Sequence, residues 1–155
     1  MKLKEDKAYS LIEVIIIVMI IGIFAVIAVP RLNFAAVSKY KAEAVARKIV
    51  TDLRLTRRLA ISDAANNTMG YELKLIGPLP YTVYEIENIK THETVATHTI
   101  DSDINIDSPT GIRFMFRPLG NLQLGSASLL TVSYQWKSFT INIIPATGAI
   151  KCTEN

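Results

Sequence analysis

The chain has 155 residues, half of them apolar, with a net charge of +3 and a mean hydropathy of +0.27. That length holds about one domain, and a lone cysteine, Cys152, excludes an internal disulfide or a paired-cysteine metal site. The basic surplus is local: residues 31–58 hold eight Lys/Arg against two acids, and residues 59–155 hold six against nine, so a basic globular surface built for nucleic acid is not expected.

The first segment with a definite pattern is at the N-terminus. Lys2, Lys4 and Lys7 precede an unbroken apolar run over residues 14–29, which Leu11 and Ile12 extend except for Glu13. A helix needs about 20 mostly apolar residues to span a bilayer, and residues 11–29 come close. Each apolar residue near the centre gains roughly 0.3–0.6 kcal/mol on insertion, which outweighs one acid near the edge. The order of charge and apolar run is also that of a secretory signal peptide. Two features argue against that: no small-residue cleavage site follows the run, which closes at Pro30-Arg31, and a carboxylate stands inside its front. Ionisable groups in such segments are costly and usually have a partner or a role.

The run Ala8-Tyr9-Ser10-Leu11-Ile12-Glu13, followed by an apolar stretch with Gly22 and a closing Pro30, resembles the leader and N-terminal helix of type IV pilin and type II secretion pseudopilin precursors. Ala8, Tyr9 and Ser10 stand where that family usually has Gly, Phe and Thr. The resemblance implies a leader peptide over residues 1–8, cut between Ala8 and Tyr9 by a prepilin peptidase, with methylation of the new Tyr9 amine. It implies a transmembrane and filament-core helix over residues 9–30 and a periplasmic domain over residues 31–155. Glu13 stands at the family's assembly glutamate, which meets the N-terminal amine of a neighbouring subunit. A buried carboxylate is expensive unless neutralised, and such a charge pair can set the register of assembly. Gly22 and Pro30 are the expected helix breaks, weaker than Ala in a helix interior by about 1 and 3 kcal/mol. Charge counted over short flanks favours the opposite orientation, but the leader requires a cytoplasmic N-terminus.

After Pro30 the pattern stays helical. Val37, Tyr40, Ala44, Val45, Ile49, Leu53, Thr56 and Ala60 recur at three- and four-residue steps and form one apolar stripe. No Gly or Pro interrupts residues 31–65, and Asn66-Asn67 with Gly70 marks the stop. One helix over residues 9–65 would be roughly 85 Å long at 1.5 Å per residue. Short strands are then expected over 71–76, 82–89, 94–100, 104–107, 112–117, 129–134 and 139–144, with turn residues between them. Without a second helix for parallel crossovers, the pairing should be antiparallel. The fold class read from this pattern is α+β, a long N-terminal helix laid on antiparallel sheet.

Three further stretches narrow the resemblance. Thr56-Arg57-Arg58-Leu59-Ala60-Ile61, Phe116-Arg117-Pro118-Leu119-Gly120 and Gly148-Ala149-Ile150-Lys151 are similar to GspH/FimT-type minor pseudopilins and pilins. That likeness implies a structural subunit near the start or tip of a filament. Its partners would be other pilins or pseudopilins, the prepilin peptidase, the inner-membrane assembly platform and the membrane itself. The alternative is a FimT-like pilin that captures DNA in natural transformation. Some of those carry Gly-Arg-x-Arg near the C-terminus, of which Gly148 and Lys151 alone remain here.

No enzyme is expected. His92 and His98 lack partners at triad or metal spacing, and no nucleophile elbow, phosphate loop or HExxH is present. Asp101, Asp103, Asn105 and Asp107 alternate like a calcium loop, but Ile106 replaces the required Gly and Ile112 the closing Glu. A polar edge strand is the better reading, and neither cofactor nor metal is expected.

Overall fold

The structure, a computed structural model, describes residues 10–28 and 34–155, with side chains for residues 10–24 and 40–155. The chain divides into two units near Ala35. The first is represented by helix α1 (Leu11–Ala28), opened by the Ser10 carbonyl, which accepts from the amides of Glu13 at 2.9 Å and Val14 at 3.2 Å. Glu13 sits in its first turn, where the helix dipole favours an acid. Every large apolar side chain from Leu11 to Phe24 is exposed, on all sides of the helix. Among the described residues no helix is long and apolar enough to cross a membrane.

The second unit begins on helix α2 (Phe34–Ser62) and continues through eight strands. Strands β1 (Tyr71–Ile76), β2 (Val83–Asn88), β3 (Thr94–Thr99) and β5 (Arg113–Phe116) form one antiparallel sheet, in the order β3-β2-β1-β5. Strands β4 (Asn105–Asp107), β6 (Leu129–Tyr134), β7 (Lys137–Ile144) and β8 (Ala149–Glu154) form a second, in the order β4-β6-β7-β8. The α+β class and the antiparallel pairing are as the sequence predicts, and the strands divide into two four-stranded sheets. The segment after β5 joins them. Gln123 and Ala127 donate their amides to the β5 carbonyls of Met115 and Arg113, while Leu122 and Ile143 donate theirs to the carbonyls of Pro145 and Ser128.

Strand β8 is absent from the sequence expectation. It is an edge strand, exposed at five of its six residues, so no alternation marks it. It exists by its ladder to β7, from Phe139↔Glu154 to Ile144↔Ala149. The expected polar edge strand is β4, reduced to three residues, with Ile106 fully buried.

One core unites α2 and both sheets. Ala42, Ala46, Ile49, Leu53 and Ala60 of α2 pack with Leu73, Leu75, Phe114 and Phe116 of the first sheet and with Leu130, Val132, Ile141 and Ile143 of the second. The buried stripe is rotated from the predicted one in the first half of the helix: Tyr40 and Ala44 are exposed, and Ala42 and Ala46 take their place. Two alanines on one face let the helix backbone approach the sheets closely, whereas Tyr40 would hold it away. Val37 lies outside the residues with described side chains. The helix ends at Ser62, three residues before the expected stop. The Asn67 side chain then accepts from the amides of Met69 and Gly70, both at 3.0 Å, turning the chain into β1. Gly70 is required there, because its φ is +86° and a Cβ would stand 1.9 Å from the Phe116 carbonyl oxygen.

Candidate functional site

Of the residues expected to act in processing and assembly, Ala8, Tyr9 and Pro30 lie outside the described residues, as does the continuity of one helix through Pro30. Glu13 is exposed on α1, as are its apolar neighbours. Gly22 does not break the helix: α1 runs through it without interruption, and no atom stands within 4 Å of where a Cβ would lie. A cost of about 1 kcal/mol at one residue is too small to end a helix whose other residues sustain it.

The three stretches that carry the GspH/FimT likeness converge at the C-terminal end of α2. Arg57 donates Nε–H to the Gly120 carbonyl at 2.9 Å and Nη2–H to the Thr147 carbonyl at 3.2 Å. One guanidinium thus ties the helix to the turn after β5 and to the β7–β8 hairpin. Gly148 has a φ of +64°, and a Cβ on it would lie 1.9 Å from the Gly120 oxygen and 3.0 Å from the Arg57 Nε. Glycine at 148 therefore has a packing reason of its own, while Lys151 stands exposed on β8. No protein-family model, curated protein or solved structure matches the chain.

One polar cluster centred on a buried acid was not foreseen. Asp52, 3% exposed, projects from α2 onto the first sheet and accepts from the Tyr84 hydroxyl at 2.6 Å. Lys48 approaches the same carboxylate at 3.1 Å and His98 at 3.5 Å, and the Tyr84 and His98 rings stack at a tilt, 5.2 Å apart. Burial and the hydrogen bond to Asp52 push the Tyr84 phenol far above its ordinary range. A phenol held so firmly in its protonated form is a poor nucleophile and a poor base, so the cluster pins helix to sheet. A sequence signal was present: the spacing that selects Ile49, Leu53 and Thr56 also puts Asp52 on that face. Its partners come from β2 and β3, where Tyr84 and His98 are paired across the ladder.

Other charged groups are paired as well. Lys41 of α2 bridges Asp101 at 3.2 Å and Asp103 at 2.5 Å, so two acids of the calcium-like stretch are held by a base. Asp103 holds the Lys41 ammonium above its ordinary range, and Lys41 holds the Asp103 carboxyl below its own. Arg113 grips the buried Glu72 in a two-pronged pair at 2.7 and 2.8 Å, and His92 lies in a turn, 2.8 Å from Glu87. Among the described residues no three His, Cys, Asp or Glu are placed to hold a metal. Cys152 is exposed and lines an open groove of about 420 Å³ between α2 and the β7–β8 pair. Partial desolvation there raises its thiol, which makes it less reactive.

Proposed function

We propose that the protein is a pilin-like subunit, a minor pilin or pseudopilin of a type IV pilus or type II secretion filament, and not a catalyst. The observation that carries this reading is the surface of α1. Its large apolar side chains face outward all around, whereas α2 hides its apolar face in the core. Contiguous apolar surface of that extent needs a cover from outside the chain. With Tyr9, Val29 and Pro30 the segment reaches the length of a membrane span, so lipid would cover it before assembly and the helices of other subunits afterwards. The N-terminus would then be cytoplasmic, with residues 31–155 in the periplasm. Glu13 is the only ionisable group of α1, which suits neutralisation by the amine of a neighbouring Tyr9.

Coexpression with a prepilin peptidase should remove the first eight residues and leave a methylated Tyr9, read by mass spectrometry of the N-terminus. An intact Met1 in assembled filaments would end this reading. Glu13→Gln should still be cleaved and inserted, because an amide is cheaper to bury than a carboxylate. Its crosslinking to partner pilins in membranes should fall, since the neighbouring amine then lacks its counter-charge. Undiminished crosslinking would remove the assembly role from Glu13.

A further inference from the structure

One end of the second unit is assembled around Lys41, near the start of α2. Lys41 holds Asp101 and Asp103 of the β3–β4 loop. The amide of Ile100, just before them, donates to the Thr82 carbonyl at 2.7 Å, which brings the β1–β2 loop to the same end. On the other side Lys41 Nζ lies 5.2 Å from the centre of the Tyr134 ring, and Tyr134 faces Lys137 across the Gln135-Trp136 turn. Three loop tips and the first described turns of α2 therefore share this end. Among the residues they expose are Trp136 at 64%, Leu79 at 64% and Tyr40 at 68%, beside Asp101, Ser102, Asp103 and Gln135. The nearby bases are paired with acids, Lys41 with Asp101 and Asp103, and Lys137 with Glu154 at 2.9 Å, which leaves one negative charge in excess among these groups.

We propose that this end of the domain rests on the headgroup region of the membrane that holds α1, through Trp136, Leu79 and Tyr40. The inference rests on the anchoring reading above. Only residues 29–33 separate α1 from α2, and six peptide steps reach at most about 20 Å, so a membrane that holds the first helix stays close to the start of the second. Trp and Tyr favour the interface because a flat apolar ring and one polar group match its two sides. Among the described residues the bases at this end, Lys41 and Lys137, are ion-paired, so zwitterionic lipid suffices and salt has little effect. A contact of this kind would limit the tilt of the domain before the subunit leaves the bilayer.

Trp136 is the only tryptophan of the chain, so its fluorescence reports on this site alone. The full chain is reconstituted into phosphatidylcholine vesicles, and flotation is scored alongside the emission and acrylamide quenching of Trp136. The expected result is flotation, a blue-shifted emission and a fall of about twofold in quenching, as an amphipathic ring exchanges water for headgroups. Tyr40→Ser with Leu79→Ser should float equally and recover much of the quenching. Flotation with water-like emission would overturn the proposal and leave the anchor intact. Failure to float would overturn the anchor and the proposal with it. Protection that appears only at high protein-to-lipid ratio would assign this end to a neighbouring copy instead of lipid.

Discussion

The two helices carry their apolar residues in opposite ways. In α1, Ile, Val, Met and Phe surround the axis and all are exposed from Leu11 to Phe24; in α2 the buried residues keep to one face and the bases to the others. Their acids differ in the same sense. Glu13 is exposed on α1, whereas Asp52 is buried on α2 and meets a phenol, an ammonium and an imidazole from its own chain. A one-sided helix is completed by its own domain, and an all-round apolar helix needs a cover from elsewhere. The contrast separates a helix stabilised inside its own domain from one whose large apolar side chains all stand exposed.

The largest effect should come from truncating an apolar residue on each helix. Leu53 is fully buried, so Leu53→Ala should lower the stability of the domain by about 2–5 kcal/mol in urea unfolding. Ile17→Ala in α1 should leave the same transition in place. A matching loss would mean that α1 is covered by this chain after all.

The glycines sharpen the contrast. Gly148→Ala meets both a left-handed backbone and the Gly120 carbonyl 1.9 Å away, and strain of about 1–2 kcal/mol from the backbone alone is the lower limit of its cost. Gly22→Ala has open space around it and should strengthen α1 by about 1 kcal/mol, visible as greater helicity in detergent. Thermal melts of the two variants should move in opposite senses or, for Gly22, not at all.

The acids give the smallest shift. Tyr84→Phe removes the hydroxyl bonded to Asp52, and since Lys48 remains at 3.1 Å the loss should lie near the low end for a charged partner, about 1.5 kcal/mol. The phenol also predicts a pH dependence. Its folded pKa is raised above the ordinary value of 10.0, so the folded state holds that proton more tightly than the unfolded one. The resulting stability is complete below pH 10 and is lost as pH rises beyond it. Urea midpoints from pH 9 upward should therefore fall more steeply for the wild type than for Tyr84→Phe, and equal slopes would remove the burial argument. Glu13→Gln should leave these midpoints unchanged.

Much of the fold was legible because it depends on period and punctuation. The strands β1 and β6 begin and end where alternation and turn residues place them, and the α2 stop follows from Asn66, Asn67 and Gly70 within three residues. Strand β8 was not legible, because an exposed edge strand is specified by its partner's ladder and not by its own alternation. The face of α2 was readable to within a rotation. The choice of Ala42 and Ala46 over Tyr40 and Ala44 depends on how closely two sheets can approach, and no single helix encodes that distance.

By itself the sequence determined an all-round apolar segment with one acid in its first turn, an amphipathic helix after it, and antiparallel strands beyond. These follow from local spacing and side-chain chemistry. Tertiary structure alone decided that the strands divide into two sheets, that Asp52 meets Tyr84 and His98, and that Arg57 reaches Gly120 and Thr147 at separations of 63 and 90 residues. Those contacts depend on strand order and register, which are selected by the packing of the whole domain around α2.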